Sequence, residues 1–347
     1  IRLYGEHSDG GSEAICHNAI LEDIGLPGQL ILGTDSHTCT AGALGCFAFG
    51  VGSTDMANAW LTRDIRVKVP QSIRIELTGA MPQGVAAKDV ILAIMADAYF
   101  KEGKAIGQVL ELCGEGVSSL VMDERATLTN MAVEAGATSG FIAADDVTLD
   151  YLAKERGLDR AQLEQRIVRS DPDAIYAHRM TIDLSSVQPM VATPGDPRHG
   201  IPIDELPGPV AITIAYGGSC TGGKDADMDM YAGVLGPALE RGWKVKDGVR
   251  FFIQFGSQKI RERAEKKGYV DLFRKAGAEL VNPACGACIN AGPGVSRGEN
   301  DVTVSAINRN FPGRSGPGRV YLASPHVVAA SAIAGRIITP AELFAEG

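Results

Sequence analysis

The chain has 347 residues, of which 45% are hydrophobic and 22% charged, and its formal net charge is -9. This length predicts two or three domains, and the composition is that of a folded globular protein, not a disordered one. The acidic balance and the lack of a basic run argue against a nucleic-acid surface, because phosphate binding requires clustered Lys and Arg. No apolar run approaches ~20 residues, so we expect no membrane span and a cytoplasmic location.

The chain begins at Ile1 instead of Met and enters a motif-bearing stretch at once, so we expect a processed chain or a fragment. Its seven cysteines are an odd number in a long chain, which is a poor basis for a disulfide framework. Metal or cluster ligation is the better interpretation for some of them.

The front of the chain predicts two α/β segments. A strand over GQLILG (28–33) runs into the polar stretch TDSHTC, and a second segment opens with the alternating strand SIRIELTG (72–79) and a helix over 86–100. The stretch 183–209 carries six prolines and no helical period, which is typical of an interdomain linker. The predicted division is the remainder of a first α/β domain over 1–70, a second over 71–185, a linker over 186–208 and a third over 209–347.

Beyond residue 201, short apolar runs alternate with amphipathic helical patterns. One such pattern covers 257–277, and its expected buried positions are Ile260, Ala264, Val270, Leu272 and Phe273. This alternation predicts parallel sheets covered by helices on both faces, and hence an α/β fold of several three-layer α/β/α domains. Each run ends in a polar or glycine-rich loop, and in open parallel sheets sites assemble beyond the carboxyl ends of the strands. The runs are VAITIAY (210–216), VRFFIQF (249–255), AELV (278–281), VTVSAI (302–307) and RVYLAS (319–324).

Three cysteines follow predicted strands. Cys285 and Cys288 form a C-x-x-C pair, a pattern that binds zinc, binds an iron–sulfur cluster or cycles through a disulfide. A zinc site normally needs a second pair or two histidines, and only His326 follows. Adding Cys220 gives three thiols, which leave one metal position open to a substrate oxygen. The simplest interpretation of the others, Cys16, Cys39, Cys46 and Cys113, is that they are small buried residues.

Polar candidates cluster at the end of the first predicted strand. Asp35, Ser36 and His37 offer acid–base and hydrogen-bonding groups, although a turn in which Asp35 and Ser36 bond neighbouring amides is also consistent with the pattern. His17, upstream in ICHNAI, is equally consistent with a catalytic role and with a partly buried, hydrogen-bonded histidine.

Two further pairs stand out. Asn130 and Glu134 are four residues apart, one helical turn, so both face the same side of a predicted helix; an ordinary solvated helix face is the alternative. Arg309 and Arg314 lie in the loop NRNFPGR, and guanidinium groups are well suited to binding carboxylates. Surface arginines without a ligand are the alternative there.

The motifs GTDSHT, SCT, NPACGAC and NRNFPGR, in this order, resemble those of the aconitase superfamily. That superfamily includes aconitase, homoaconitase and the large subunit of 3-isopropylmalate dehydratase. The version DSHTCTAGALG and the compact length are most similar to the isopropylmalate dehydratase branch, and the resemblance runs from about Ser12 to Ile338.

The resemblance implies a hydro-lyase that acts on a hydroxy di- or tricarboxylic acid, with a role in leucine biosynthesis in that branch. It implies one 4Fe-4S cluster per chain at a central site, held by Cys220, Cys285 and Cys288. By motif it assigns the other residues as follows: catalytic His17, Asp35, Ser36, His37 and Glu134; substrate-binding Asn130, Asn308, Arg309 and Arg314.

The chain departs from the family pattern in three ways. Gly222 stands where the family usually has Asn, and an N-terminal segment with an Asp-His pair is absent. The swivelling domain that supplies the serine base is also absent, so we expect it on a separate small subunit. Three alternatives remain: homocitrate, citrate or a methylmalate-type acid as substrate; a non-catalytic iron–sulfur-binding or regulatory protein; and a zinc-stabilised α/β protein.

Overall fold

The computed structural model describes residues 2–8 and 10–346. The chain forms two compact units, each assembled from separate stretches of sequence. Unit 1 comprises Ile1–Asn18, Met81–Ala96 and Ser186–Gly347, and unit 2 comprises Ala19–Ala80 and Asp97–Ser185. The three-domain division stays a prediction. Within the described ranges, every helix is too short or too polar to cross a membrane.

The strands form three sheets within the part of the chain that the structure describes. In chain order they are β1 (Leu30–Gly33), β2 (Phe47–Gly50), β3 (Ser72–Thr78), β4 (Val109–Cys113), β5 (Ser139–Phe141), β6 (His178–Asp183), β7 (Met190–Ala192), β8 (Gly200–Pro202), β9 (Ile214–Gly217), β10 (Arg250–Gln254), β11 (Glu279–Val281), β12 (Val302–Ser305) and β13 (Arg319–Ala323).

The α-helices are distributed over both units. In chain order they are α1 (Cys16–Ala19), α2 (Ser53–Thr62), α3 (Ala87–Met95), α4 (Ala98–Lys101), α5 (Met122–Asn130), α6 (Asp146–Arg156), α7 (Arg160–Glu164), α8 (Asp225–Glu240), α9 (Gln258–Lys266), α10 (Tyr269–Ala276), α11 (Pro325–Ala334) and α12 (Pro340–Glu346).

The sheet of unit 1 has the strand order β11-β10-β9-β12-β13-β7-β8. The first five strands of this order are mutually parallel, and all five come from the apolar runs that the sequence predicts as strands. Helices α8, α10 and α11 contribute apolar side chains to the core that covers this sheet, among them Tyr231, Phe273 and Val328. The structure therefore confirms the predicted α/β class with mainly parallel sheets.

The proline-rich segment differs from the structureless linker that the sequence predicts. Its residues form β7 and β8, which pair antiparallel with each other, with Met190 opposite Pro202. Strand β7 also pairs antiparallel with β13, so β8 is the edge strand. Proline is tolerated there because an edge strand leaves one row of backbone N–H groups outside the ladder.

Two predicted helices are interrupted. The pattern over 257–277 becomes α9 and α10, because Gly268 between them takes a φ of 77°, which ends helical geometry. Its expected apolar positions Ile260, Ala264, Val270 and Phe273 are buried, and Leu272 is partly buried. The helix expected over 86–100 becomes α3 and α4, because the Asp97 side chain accepts a hydrogen bond from the Tyr99 N–H and begins a new helix.

Unit 2 contains a parallel four-stranded sheet, β5-β4-β3-β6, and a parallel pair, β1-β2. Its core joins the 3₁₀ segment Ser36–Leu44 to α5 and α6 through Leu44, Ala126 and Leu149. The polar segment that follows β1 is thereby held against α5.

An ion pair between the buried Arg125 and the partly exposed Asp145 fixes α5 within unit 2. The fully buried Arg125 donates two hydrogen bonds to Asp145, at 2.6 and 2.8 Å, and others to the carbonyls of Leu120 and Val117. Burial raises the pKa of Asp145, but the hydrogen bonds and charge of Arg125 outweigh it, so the net shift is downward. Asp145 also caps α6 through the Thr148 N–H.

We expect Asp145→Asn to lower the free energy of unfolding by about 2 kcal/mol, because it leaves the buried Arg125 charge without its carboxylate while keeping a capping side chain. Denaturant unfolding followed by circular dichroism measures this. The Asp145 pKa is depressed, so the wild-type advantage should be full at neutral pH and disappear as the pH falls through that pKa.

The neighbouring Asp146→Asn is the matched control, because Asp146 pairs with Arg160 at the exposed surface. It should change stability little. Equal losses in the two variants would contradict the role assigned to the Arg125 pair.

Candidate functional site

The strand order of the unit 1 sheet reverses between β9 and β12. From β9 the chain continues to β10 and β11 on one side, and then crosses to β12 and β13 on the other. In open α/β sheets, ligands bind outside the carboxyl ends of the strands at such a reversal. Cys220 follows β9 and Asn308 follows β12, so both lie where this rule places a site.

Asn308 contacts two of the three predicted cluster cysteines. The Cys288 thiol lies 3.1 Å from Asn308 Oδ1, and Asn308 Nδ2 donates towards Cys220 Sγ at 3.4 Å. Cys220, Cys288 and Asn308 are buried, whereas Cys285 is exposed. The structure thus brings these two thiols to one amide, and Cys220, Cys285 and Cys288 all lie outside disulfides.

Gln254, at the end of β10, connects the loops that carry the cysteines. Its Oε1 accepts hydrogen bonds from the Ser219 N–H at 3.2 Å and the Tyr216 hydroxyl at 2.9 Å, and its Nε2 donates to the Asn282 carbonyl at 3.3 Å. A Cβ at Gly286, whose φ is 56°, would lie 2.7 Å from the Tyr216 hydroxyl. The C-x-x-C turn can therefore approach this network only with glycine between its cysteines.

Positive charge surrounds the thiols. Burial, followed by the Cys220 thiolate charge, raises the pKa of Cys288 to about 12, while Arg314 and Arg309 act in the opposite direction. Arg314 also has a buried Nε that lacks a hydrogen-bond partner within the described residues. A buried guanidinium N–H without an acceptor is costly, so this atom fits an absent anionic ligand.

The second asparagine of the NRNF loop has a different task. Asn310 Nδ2 donates to the Thr193 carbonyl at 2.8 Å and to the Val320 carbonyl at 3.2 Å. It therefore joins the loop after β12 to β13 and to the chain after β7. These hydrogen bonds from the Asn310 side chain to two backbone carbonyls fix the position of the loop that carries Arg309 and Arg314.

Sequence reasoning missed a buried lysine beside the cysteine loops. Lys88, in α3, donates hydrogen bonds to the Thr221 hydroxyl and to the carbonyls of Ala306 and Ile307. Burial, and then the charge of Lys224, lower the pKa of Lys88 to about 7, and the Cys220 thiolate opposes this shift. The available signal was a Lys-Asp pair inside the otherwise apolar helix pattern over 86–100.

Unit 2 brings together a histidine and a carboxylate. His37 Nε2 lies 2.6 Å from Glu134 Oε1, and both side chains are buried. Asp35 caps the 3₁₀ segment by accepting from the His37 N–H at 2.8 Å, and its Oδ1 lies 3.4 Å from His37 Nδ1. Ser36 stands partly exposed between them. The Asp35 part of the predicted turn is thus confirmed, and the acid–base role of the segment stays a prediction.

Asn130 and Glu134 are buried, so the alternative of a solvated helix face is wrong. The predicted single helix is also too long: α5 ends at Asn130, and a turn with an Ala135 N–H to Met131 carbonyl bond carries the chain past Glu134. Asn130 Nδ2 donates to Thr40 Oγ1 at 2.8 Å, and Thr40 Oγ1 donates to the His37 carbonyl at 2.6 Å. Asn130 therefore supports the histidine segment.

His17 lies in unit 1 and is buried, with the Cys16 sulfur 3.6 Å from its Nδ1. Its catalytic role stays a prediction, as do the roles of the other site residues. Cys39 and Cys46 are buried and Cys113 is partly buried, but Cys16 is exposed, so a buried position for Cys16 is wrong. It follows Ile15 in a stretch whose side chains alternate between the interior and solvent.

The surroundings of Gly222 explain the departure at this position. A Cβ there would lie 2.5 Å from the Ala306 Cβ, 2.8 Å from the Gly218 carbonyl and 3.0 Å from the Tyr231 hydroxyl. The Tyr231 hydroxyl donates to the Gly222 carbonyl at 2.8 Å. The space for a larger side chain is therefore occupied by neighbouring groups.

Comparisons with known proteins agree with one another. The model of the aconitase family (aconitate hydratase) matches residues 2–210 and 208–335. The 3-isopropylmalate dehydratase large subunit 1 of Methanopyrus kandleri is 41% identical over 338 residues, 96% of this chain and 78% of that protein. The 2,3-dimethylmalate dehydratase large subunit of Eubacterium barkeri is 41% identical over 94% of this chain and 76% of that protein. The methanogen homoaconitase large subunit of Methanocaldococcus jannaschii is 40% identical over 94% and 77%.

We expect Gly222→Asn to destabilise the protein by about 1–3 kcal/mol, because the new side chain overpacks against Ala306 and Tyr231. Thermal unfolding measures the loss. Gly233→Asn is the matched control, since a Cβ at the exposed Gly233 meets nothing within 4 Å; its effect should stay below about 0.5 kcal/mol. A Gly222→Asn variant as stable as wild type would contradict this account, because it would show that the groups around position 222 can move apart.

Proposed function

Because the chain belongs to the aconitase family, we propose that it is the large subunit of a hydro-lyase for a hydroxy di- or tricarboxylic acid such as 3-isopropylmalate. The observation that carries the proposal is the contact of Asn308 with both Cys220 and Cys288 at the strand-order reversal. The relatives named above as dehydratases and as a homoaconitase support the reaction class.

The donor set fits a 4Fe-4S cluster. Cys220, Cys285 and Cys288 are three cysteines outside disulfides, in strand-end loops of one sheet, and such thiols ligate iron–sulfur clusters. They would leave the fourth position to substrate. When bound, the cluster supplies a Lewis acid for the hydroxyl oxygen of the substrate.

Arg309 and Arg314 are proposed to hold the substrate carboxylates. Their charges act on the buried Cys288, and the buried Arg314 Nε lacks an acceptor among the described residues. Guanidinium groups bind carboxylates through paired, charge-assisted hydrogen bonds. They also stabilise the negative charge that develops on a carboxylate when the neighbouring C–H bond is broken.

The His37–Glu134 pair is proposed to handle a proton during the removal of hydroxide. A 2.6 Å contact lets a proton sit between His37 Nε2 and Glu134 Oε1, and such a pair can protonate a departing oxygen. Asp35 orients the histidine through its backbone N–H. Ser36 and His17 complete the catalytic set that the family pattern implies.

We expect a separate small subunit to carry the swivelling domain and the serine base. The relatives are themselves named large subunits, which supports this partner. A cytoplasmic location remains our expectation for the assembled enzyme.

Reconstitution with iron and sulfide under anaerobic conditions should load about one cluster per chain, with the broad visible absorption of iron–sulfur proteins. Single substitutions Cys220→Ser, Cys285→Ser and Cys288→Ser should each lose most of the iron. Iron and sulfide analysis together with the visible spectrum measure this.

Cys113→Ser is the control, because Cys113 lies partly buried in β4 of unit 2 and should leave the iron content unchanged. Colourless wild-type protein that carries stoichiometric zinc, with the same zinc content in Cys220→Ser, would refute the cluster. It would favour the zinc-stabilised alternative.

With the small subunit present, the loaded enzyme should dehydrate at least one acid among 3-isopropylmalate, 2,3-dimethylmalate, homocitrate and citrate, followed by the absorbance of the unsaturated product. Glu134→Gln should lower kcat by about 100-fold or more, because it removes the carboxylate beside His37. Its iron content should not change.

Glu115→Gln, at an exposed position of unit 2, should retain full activity. A Glu134→Gln enzyme as fast as wild type would refute the acid–base assignment. A loaded wild-type protein that is inactive on every acid in the panel would favour the non-catalytic iron–sulfur protein.

A further inference from the structure

Lys88 occupies an unusual position for a lysine. Its side chain is 1% exposed, and the next residue, Asp89, is fully buried. Asp89 accepts hydrogen bonds from the Ala86 N–H at 2.9 Å and from the Met190 N–H at 2.8 Å, which ties the start of α3 to β7. Asp89 thus serves the backbone, and it holds the helix from which Lys88 extends.

The ammonium group of Lys88 joins two loops on opposite sides of the strand-order reversal. It donates to the Thr221 hydroxyl at 3.2 Å, and to the carbonyls of Ala306 at 2.9 Å and Ile307 at 2.8 Å. Thr221 directly follows Cys220, and Ile307 directly precedes Asn308. The three donors of the ammonium are therefore all used, one towards the cysteine loop and two towards the asparagine loop.

The hydrogen-bond acceptors of Lys88 are uncharged. A buried ammonium is costly to keep unless a negative charge lies close to it. A second buried lysine, Lys224, shows the usual solution, since its Nζ lies 2.8 Å from the Asp227 carboxylate. All three hydrogen bonds of Lys88 go to uncharged oxygens, and the charges of Cys220, Asp227 and Cys288, in that order, act on it from farther away. The thiolates of a loaded site would therefore add to the negative charge that Asp227 supplies.

We propose that Lys88 is a positioning residue for the iron–sulfur ligands: it fixes the spacing of the Cys220 loop and the Asn308 loop, and its charge balances the thiolates of the loaded site. This inference rests on the proposed function, because it requires that the cysteines bind a cluster. Lys88 contacts residues next to the proposed cluster ligand Cys220 and next to Asn308. Substitutions of residues that support metal ligands in this way commonly weaken metal binding by 10- to 100-fold.

The test compares Lys88→Met and Lys88→Gln with the wild-type chain, each in apo form and reconstituted with iron and sulfide. Lys88→Met should release iron to a ferrous chelator about 10-fold faster or more than wild type. Both variants should shift the cluster reduction potential to more negative values, because a nearby positive charge favours the reduced cluster. Lys88→Gln keeps a hydrogen-bonding side chain, so its iron release should be the slower of the two variants.

The melting temperatures of the apo and loaded proteins distinguish the proposed role from a purely structural one, because a structural role would affect both forms equally. Lys88→Met removes a buried ammonium together with its three hydrogen bonds to uncharged oxygens, so the melting temperature should fall less in the apo form than in the loaded form, where the thiolates add negative charge. Lys224→Met is the matched control: it removes the ammonium that pairs with Asp227 and should lower the melting temperature of both apo and loaded protein.

Unchanged iron release and unchanged reduction potential in both Lys88 variants would overturn the inference while leaving the cluster in place. A melting temperature that falls equally in apo and loaded Lys88→Met would also overturn it, since Lys88 would then be structural only. A wild-type chain that takes up no cluster refutes the proposed function itself, which separates the two failures. If Lys88→Met does not fold, Lys88→Gln carries the same comparison.

Discussion

The reversal of strand order between β9 and β12 is the constraint on which the unit 1 site depends. Parallel pairing aligns Ile214 of β9 with Thr303 of β12 and with Arg250 of β10, so the chain leaves all three strands at the same edge. Because the connections diverge at the reversal, the loops after β9 and β12 lie where ligands bind in open α/β sheets. Cys220 and Asn308 occupy those loops, and the network around Gln254 adds the loop of Cys285 and Cys288.

Charge at this edge is local, and the protein as a whole is acidic. Burial opposes ionisation of Cys288, whereas Arg309, Arg314 and the nearby Lys88 favour negative charge in the same small volume. Keeping the buried Lys88 away from water costs free energy, which an anionic occupant of the site would offset. The net charge of -9 therefore says little about the site, because the positive groups that matter are few and local: Lys88 is buried, and Arg309 and Arg314 are partly buried.

The five strands of unit 1 and their common edge could be predicted, because continuous apolar runs alternating with amphipathic helices have few other folded solutions. The edge strands β7 and β8 could not, since the prolines suggest a linker and only the free side of an edge makes them acceptable. The residues of the candidate site likewise fall into those that the sequence predicts and those that it does not. Residues inside strand-end motifs, such as Cys220 and Asn308, are visible in the sequence. Lys88 contacts their chain neighbours Thr221 and Ile307 from a helix more than a hundred residues away, and such contacts exist only after folding.

Gly222 shows how a departure from a family pattern is understood once its neighbours are known. Read alone, the glycine suggests a lost amide beside the cysteines and favours a protein without activity. In the structure, the Tyr231 hydroxyl and the Ala306 side chain fill the space, and the Asn308 amide contacts both buried thiols. The loop after β12 thus places one amide beside the sulfurs. Gly222 is then a packing requirement of the Tyr231 contact, so its neighbours account for the glycine without reference to activity.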